Sequence, residues 1–247
     1  MQKNFEKLRK DFSKKGHICC RKVFENNFVS KIINEINQSK NNIKYYDSSN
    51  NLVRIEKLYN QGKYLKDLND AILTLFKKIF KKDFIIFKDK FNVKQPGGKG
   101  FFAHYDGVFK FKDHKNNLNN GWYKYGNLFI TALIALDKCN KKNGTIEIAN
   151  AHKGNFNKLL KNTKNDGTPA IKKEIVSKTS FNPINLDVGD VVFFSNTCPH
   201  RSKINNSKKM RRILYYTYSL AEYGSKYNEY FRDKYKSKNS FKALNNK

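Results

Sequence analysis

The sequence predicts a mainly β fold with flanking helices. From residue 83 to residue 220, short stretches of β-branched and aromatic residues alternate with turns of Gly, Asn and Lys. Before residue 80, apolar residues recur at spacings of three and four, the period of a helix with one buried face. A chain of 247 residues can bury a substantial core. We therefore expect one domain over residues 1–247, with helices packed outside a β-core.

The helical parts are expected at the two ends of the chain. Residues 1–80 form a mainly helical flank in this prediction, with helices at Phe24–Ile36 and Leu65–Phe80. Residues 222–247 are rich in Tyr and Lys and predict a C-terminal helix with a frayed end.

The core is expected over residues 83–220. Two of its segments, Leu128–Leu136 and Val188–Phe194, are nearly continuous apolar runs. Strands that are buried on both faces have this pattern, since neither face needs polar side chains. The pattern by itself indicates a β-rich globule and names no particular topology.

The net charge of +29 suggests an anionic partner. However, the lysines are spread from end to end, Asn is abundant and only seven residues are Arg, as in a chain from an AT-rich genome. Arg is the preferred residue for reading phosphates and bases, so its scarcity weakens a nucleic-acid interpretation. We expect a positive field that attracts a small anionic or zwitterionic substrate, and nucleic acid is the less economical partner.

The four cysteines are irregularly spaced, and no apolar leader follows the first residues. This predicts a reducing, cytoplasmic location and no disulfide framework. No run approaches the roughly 18 apolar residues that a membrane span requires, so we expect no membrane partner.

Three residues predict a metal site. His104 and Asp106 lie two residues apart in the β-prone run FFAHYDGVF, so one strand face would carry both. His200 follows the apolar strand in GDVVFFSNTCPHRS. Two imidazoles and one carboxylate form the facial triad of non-haem Fe(II) oxygenases, which leaves positions open for a co-substrate and O2. A His-x-Asp pair is weak evidence in a chain with five histidines, so the flanking residues matter.

Arg211 lies eleven residues after His200, in the strand-like run RRILYYTYSL. A guanidinium on a neighbouring strand can form a bidentate pair with a carboxylate. The far carboxylate of 2-oxoglutarate would require such a partner.

The flanking segments resemble the phytanoyl-CoA dioxygenase family of Fe(II)/2-oxoglutarate-dependent oxygenases over nearly the whole chain. KDKFNVKQPGGKGFFAHYD is similar to the family's strand, turn and ligand strand, and LDVGDVVFFSNTCPHRSKINNSKKMRR carries the second histidine and the distant arginine. The resemblance implies a double-stranded β-helix, or jelly-roll, core with N-terminal helices. It also implies Fe(II) as cofactor and 2-oxoglutarate and O2 as co-substrates.

The resemblance also implies roles for single residues. The three ligands would hold iron, and Arg211 would bind the distal carboxylate of 2-oxoglutarate. Thr131 would place a hydroxyl beside that carboxylate, or it is an ordinary β-branched strand residue. Ser202 is a further co-substrate contact. Asn92 matches a position that contacts 2-oxoglutarate in some relatives, although a turn or edge role is an equal alternative.

The reaction implied is hydroxylation. Halogenases of the family replace the carboxylate ligand with a small residue, whereas this chain keeps Asp106. Within the family, the chain looks most like a branch that hydroxylates 2-aminoethylphosphonate at the carbon next to phosphorus. The alternative is hydroxylation of another small metabolite, such as an amino acid derivative or a natural-product scaffold.

A phosphonate needs two or more cationic donors. Candidate substrate-binding residues are Lys88, Lys90, Lys94, Tyr105 and Arg201, with Tyr105 standing where relatives commonly have Gln. For any single lysine, a solvated surface position is the simpler interpretation. If the lysines are exposed, raised ionic strength should weaken substrate capture more than 2-oxoglutarate binding.

Two further classes stay open. A macromolecule-modifying oxygenase would use the same triad, but HRSKINNSKKMRR lacks the Arg-x-Asn-x-Thr-x-Arg run of demethylases that act on alkylated bases. A basic nucleic-acid-binding protein without activity would not need to keep all three ligands and the arginine.

Overall fold

The computed structural model describes residues 2–164 and 166–236. The helices in this part of the chain are α1 (Gln2–Lys15), α2 (Asn26–Gln38), α3 (Lys63–Phe80), α4 (Phe156–Lys161), α5 (Lys173–Val176) and α6 (Tyr227–Lys236). The strands are β1 (His17–Cys20), β2 (Ile43–Tyr46), β3 (Leu52–Glu56), β4 (Phe84–Lys94), β5 (Phe101–His104), β6 (Phe111–Lys112), β7 (Leu118–Asn119), β8 (Phe129–Ala135), β9 (Ile146–Ile148), β10 (Asn182–Pro183), β11 (Val191–Ser195), β12 (His200–Ser202) and β13 (Arg211–Leu220). Two 3-10 turns lie at Gly121–Lys124 and Ala221–Tyr223.

Two antiparallel sheets form the core. The larger has the strand order β1-β11-β8-β13-β4-β3-β2, and the smaller has the order β10-β9-β12-β5. A separate hairpin pairs β6 with β7. The chain is therefore mainly β with flanking helices, as the sequence predicts.

The central strands of the larger sheet are buried on both faces. Along β13, Ile213 and Tyr215 pack towards the smaller sheet, whereas Leu214 and Tyr216 pack into a second apolar cluster with the helices. The period of two in a strand sends neighbouring residues to opposite faces. The two predicted apolar strands are confirmed as β8 and β11 for this reason.

The boundaries of β11 differ from the prediction at its start. The strand begins at Val191, because Gly189 makes a turn with a positive φ of 82°. The Asp190 carboxylate accepts the backbone N–H groups of Asp187 and Lys22, which holds this turn in place. Residues 188–190 therefore belong to this hydrogen-bonded turn, and the strand begins three residues later than predicted.

The two predicted helices are present with small shifts at their ends. On α3, the buried residues Leu65, Leu68, Ile72, Phe76 and Ile79 follow the helical period. The flank before residue 80 also contains β1, β2 and β3, which add strands to both edges of the larger sheet.

One irregularity in β4 affects what its inner face carries. The register with β13 pairs Thr217 with Lys88 and Tyr218 with Ile86, so Phe87 is an extra residue. Such a bulge changes which side of the sheet the following residues face. After the bulge, Lys88 faces the smaller sheet, while Ile86 packs with the helical cluster.

The C-terminal helix α6 packs Tyr230 and Phe231 against the core. The rest of the predicted tail, residues 237–247, lies outside the described residues. Among the described residues, no helix combines the length and apolar character needed to cross a membrane. The four cysteines are free thiols.

Candidate metal centre

The three predicted ligands converge at one end of the adjacent strands β5 and β12 of the smaller sheet. His104 ends β5, and His200 begins β12 directly opposite it in the register. Nε2 of His104 lies 4.0 Å from Oδ1 of Asp106, and Nε2 of His200 lies 4.0 Å from its Oδ2. The ligand atoms of all three residues lie within 4.8 Å of one another.

The two imidazoles are oriented by backbone carbonyls. Nδ1 of His104 lies 3.0 Å from the carbonyl oxygen of Phe102, and Nδ1 of His200 lies 3.0 Å from that of Cys198. A carbonyl can only accept, so each Nδ1 donates its proton and each Nε2 keeps a lone pair. Burial lowers the pKa of both histidines, which favours the neutral form that binds a metal.

Asp106 supplies the charge of the centre. Burial opposes its ionisation, but His200 and the nearby Lys90 and Lys88 outweigh this and hold its pKa at about 2. Two nitrogen lone pairs and one carboxylate suit a divalent transition metal such as Fe(II). The donor set therefore fits the predicted cofactor.

A cavity of about 950 Å³ adjoins the three ligands. Part of its wall is the inner face of β4, where every second residue is polar: Lys88, Lys90, Asn92 and Lys94. Buried polar side chains in a central strand are unusual, because burial without partners is costly. This face is thus a strong candidate for ligand contacts.

One end of the cavity contains Arg211. It is 3% exposed, and its Nε and Nη1 atoms have no hydrogen-bond partner among the described residues. Lys94 lies opposite it in the register of β4 and β13. Nζ of Lys94 donates to Oγ of Ser202 at 2.8 Å and to the carbonyl oxygen of Lys203 at 2.6 Å. The predicted co-substrate contacts Arg211 and Ser202 are thus brought together, with Lys94 beside them.

The other end contains Lys88 and Lys90. Nζ of Lys88 lies 4.5 Å from the Trp122 ring centroid and 5.5 Å from that of Tyr230. Nζ of Lys90 lies 4.7 Å from the Tyr215 ring centroid. Burial lowers the pKa of both, that of Lys90 to about 7. Both lysines line the cavity, and aromatic rings lie beside their ammonium groups.

Asn92 lies between these two ends, and its Oδ1 accepts a hydrogen bond from Nε of Arg54 at 3.2 Å. Thr131 is not brought beside Arg211. Its hydroxyl lies 3.0 Å from that of Thr217, its register partner, which is six residues from Arg211 along β13. At roughly 3.3 Å per residue this is about 20 Å, so Thr131 is too far to share a carboxylate with Arg211.

Tyr105 and Arg201 line the cavity, but their polar groups have protein partners. The Tyr105 hydroxyl contacts Nδ1 of His152 and accepts from Nδ2 of Asn162. Nε of Arg201 donates to Glu147 at 2.7 Å. Arg201 follows His200 in β12, so its side chain points to the opposite face of that strand. Tyr105 comes directly after the last residue of β5 and lies outside the strand.

Several wall residues were not predicted: Glu56, Arg54, Trp122, Tyr215, Tyr230 and Lys234. They come from separate elements, and no local spacing links them. One signal was available in the run KDKFNVK, where polar and apolar residues alternate inside a long apolar context.

The chain matches known proteins in sequence and in fold. The family model described as phytanoyl-CoA dioxygenase (PhyH) matches residues 3–213. The 2-aminoethylphosphonate dioxygenase of uncultured bacterium HF130_AEPn_1 is 28% identical over 200 residues, covering 78% of this chain and 70% of that protein. The methylphosphonate hydroxylase of Gimesia maris is 31% identical over 154 residues, covering 62% of this chain and 52% of that protein.

Among solved structures, EctD from S. alaskensis with 2-oxoglutarate and 5-hydroxyectoine aligns with a TM-score of 0.67 and 12% identity. The alignment covers 87% of this chain and 76% of that one, and it confirms the predicted jelly-roll fold. The predicted enzyme class, with Fe(II), 2-oxoglutarate and O2, is confirmed at the level of the family. On a match over residues 3–213, the chain belongs to the phytanoyl-CoA dioxygenase family of Fe(II)/2-oxoglutarate-dependent oxygenases.

Proposed function

We propose that this chain hydroxylates a small phosphonate, with 2-aminoethylphosphonate as the best candidate and the carbon next to phosphorus as the reacting atom. The names of the two relatives given above support a phosphonate substrate. One observation in the chain itself carries the proposal. Lys88 is buried and Lys90 is partly buried, both line the cavity, and neither pairs with an acidic residue in the described part of the chain.

The metal would be held by His104, Asp106 and His200. Bound Fe(II) supplies O2 activation, in which 2-oxoglutarate loses CO2 to give succinate and a substrate C–H bond becomes C–OH. The protein's own contribution at the metal is orientation, since the Phe102 and Cys198 carbonyls fix the tautomer of the two histidines. The retained carboxylate of Asp106 supports hydroxylation over halogenation, because it occupies the position that a halide would need.

Arg211 would bind the distal carboxylate of 2-oxoglutarate. Its Nε and Nη1 atoms are buried and are without a partner in the described part of the chain. An unpaired buried guanidinium is costly, and a bidentate carboxylate would satisfy it. This end of the cavity is therefore assigned to the co-substrate.

Lys88 and Lys90 would bind the phosphonate group. In the described residues, neither ammonium group forms an ion pair or a side-chain hydrogen bond, and both contact aromatic rings instead. A phosphonate offers three oxygens to such donors. The charges of both lysines also lower the pKa of the metal-ligand candidate Asp106, which lines the same cavity. A substrate anion held there would have its carbon chain close to the metal.

The alternative is hydroxylation of another small metabolite, an amino acid derivative or a natural-product scaffold. A cavity of about 950 Å³ exceeds the needs of a two-carbon phosphonate, so size alone does not exclude larger molecules. The prediction of a cytoplasmic location stays a prediction.

The test is succinate formation by the iron-loaded enzyme with 2-oxoglutarate, O2 and a panel of compounds. The panel contains 2-aminoethylphosphonate, methylphosphonate, their carboxylate analogues β-alanine and acetate, and uncharged metabolites. We expect coupled succinate formation with an aminoalkyl phosphonate, together with a product hydroxylated at the carbon bonded to phosphorus. Turnover of uncharged compounds but of no phosphonate would reject this substrate and leave the iron chemistry intact.

A further inference from the structure

Lys94 lies apart from the two lysines with which the sequence groups it. It is six residues from Lys88 along β4, about 20 Å at roughly 3.3 Å per residue. Its register partner on β13 is Arg211. Both side chains are buried and line the same cavity. Two cations therefore sit together at the co-substrate end.

The hydrogen bonds of Lys94 leave the Ser202 hydroxyl free to act as a donor. Nζ donates to Oγ of Ser202 and to the carbonyl oxygen of Lys203, which uses two of its three protons. Because Oγ of Ser202 accepts from Lys94, its own proton remains available for another acceptor. The third proton of Lys94 is likewise available.

This cluster has donors and positive charge, but no carboxylate pairs with it among residues 2–164 and 166–236. The nearby acidic residues are engaged elsewhere, since Glu147 pairs with Arg201 and Asp137 pairs with Arg212. Burial, and then the charge of Arg211, lower the pKa of Lys94 to about 7. A bound carboxylate would relieve both the burial cost and the repulsion.

We propose that Lys94 is a co-substrate-specificity residue, which makes the pocket selective for 2-oxo acids with a terminal carboxylate. It adds a second positive charge beside Arg211 and sets the Ser202 hydroxyl as a donor. The inference rests on the proposed function only in assuming that this end of the cavity receives 2-oxoglutarate. It assigns Lys94 to the co-substrate and removes it from the predicted substrate contacts.

The experiment compares two 2-oxo acids of equal chain length, 2-oxoglutarate and 2-oxopentanoate, which lacks the terminal carboxylate. Their dissociation constants are measured without O2 on Fe(II)-loaded protein, by calorimetry and by the visible absorption that appears on chelation. We expect Lys94→Met to raise the dissociation constant of 2-oxoglutarate by roughly tenfold or more, the loss typical of a charge-assisted contact. Binding of 2-oxopentanoate should stay unchanged.

Lys203→Met is the matched control, because its side chain is 54% exposed and its ammonium lies 3.6 Å from Glu147. It should leave both dissociation constants unchanged. Lys94→Gln retains donors without the charge and serves if the Met variant folds poorly. Thermal melting of each variant checks the fold.

Three outcomes would overturn the inference. Equal weakening of both 2-oxo acids would mean that Lys94 only braces the strand that carries His200. Unchanged 2-oxoglutarate binding with a weakened substrate would return Lys94 to the substrate end. Wild-type protein that binds Fe(II) but no 2-oxo acid would reject the proposed function itself. Failure of phosphonate turnover alone leaves these binding results standing.

Discussion

The two ends of the inner face of β4 present the same residue type in different ways. At one end, Lys94 is held by hydrogen bonds to Ser202 and to a backbone carbonyl, beside Arg211. At the other end, Lys88 and Lys90 contact aromatic rings and form no ion pair in the described part of the chain. The first end has donors held by hydrogen bonds to the protein, and the second has ammonium groups packed on aromatic rings.

This difference suits two different ligands. A co-substrate that is the same in every turnover benefits from donors whose positions are set before binding, because less side-chain entropy is lost. At the second end the ammonium groups form no ion pair with the described residues, so their charge is available to an anionic substrate. The proposed metal site lies between the two ends, so the following changes should affect them selectively.

The largest effect on binding is expected from His200→Ala, which removes one metal ligand and so affects both ends. Loss of a residue that only hydrogen-bonds to a metal ligand typically lowers metal affinity by roughly 10- to 100-fold. Loss of the ligand itself should therefore lower it by roughly 100-fold or more. Anaerobic Fe(II) binding measures this. His152→Gln is the control, since its ring contacts the Tyr105 hydroxyl and lies outside the ligand cluster. Unchanged iron affinity in His200→Ala would remove the assignment of the three ligands.

The Lys88 end should depend on a buried ion pair for its stability. Glu56 forms an ion pair with Lys234 of α6 and accepts from the Tyr235 hydroxyl at 2.7 Å. Glu56→Gln leaves Lys234 without its charge partner, so we expect a loss of about 3 to 5 kcal/mol in the free energy of unfolding. Urea denaturation at neutral pH measures it.

The pH dependence of this loss has a definite sign. Burial opposes ionisation of Glu56, but Lys234 and Arg54 outweigh it and lower the Glu56 pKa from 4.5 to about 2. The carboxylate therefore stabilises the fold fully above about pH 4.5, and this contribution is lost as the pH falls towards 2. The difference between wild type and Glu56→Gln should shrink across that range. Burial also lowers the pKa of Lys234 from 10.5 to about 8. Its titration therefore changes the free energy of unfolding only at alkaline pH, outside the range of this comparison.

The Arg211 end can be tested by comparing two adjacent arginines. Arg211→Lys keeps the charge but loses the planar fork, so 2-oxoglutarate should bind roughly ten- to a hundredfold more weakly, a loss of about 1.5 to 3 kcal/mol. Arg212 points to the other face of β13, where it forms a bidentate pair with Asp137 at 2.8 Å. Arg212→Lys should leave the dissociation constant nearly unchanged. The reverse order of effects would contradict the assignment.

The substrate end should respond to Lys88→Met and Lys90→Met. We expect each change to raise KM for the anionic substrate by roughly tenfold, because one charge-assisted contact is lost. The dissociation constant of 2-oxoglutarate should change little, since Arg211 and Lys94 lie at the other end. A larger effect on 2-oxoglutarate than on the substrate would show that the two ends have been exchanged.

The smallest expected effect is that of salt. Lys88 is 8% exposed, and Arg211 is 3% exposed, so bulk ions cannot approach them closely. Raising the ionic strength from about 0.05 M to about 0.5 M should therefore change either affinity by roughly twofold at most. The sequence alone predicts stronger screening at the substrate end if its lysines are exposed. Saturation binding at the two salt concentrations decides between these expectations, and a steep loss at the Lys88 end alone would support exposed lysines.

The sequence by itself determined the mainly β fold and brought out the three residues of the candidate metal centre. The opposite orientations of Arg211 and Arg212 follow from the period of two in a strand. The sequence also placed His104 and Asp106 on one strand face, but β5 ends at His104, and Asp106 lies two residues beyond its end. The central strands were also predictable, because burial on both faces leaves a continuous apolar run. These are properties that a few neighbouring residues carry locally.

Only the tertiary structure decided which distant residues meet. The register of β4 with β13 sets Lys94 opposite Arg211, and the extra residue Phe87 turns Lys88 towards the cavity. The same kind of register places Thr131 against Thr217, far from Arg211. Cross-strand pairing joins residues that are 86 positions apart or more in these two cases, and local periodicity contains no information about that alignment.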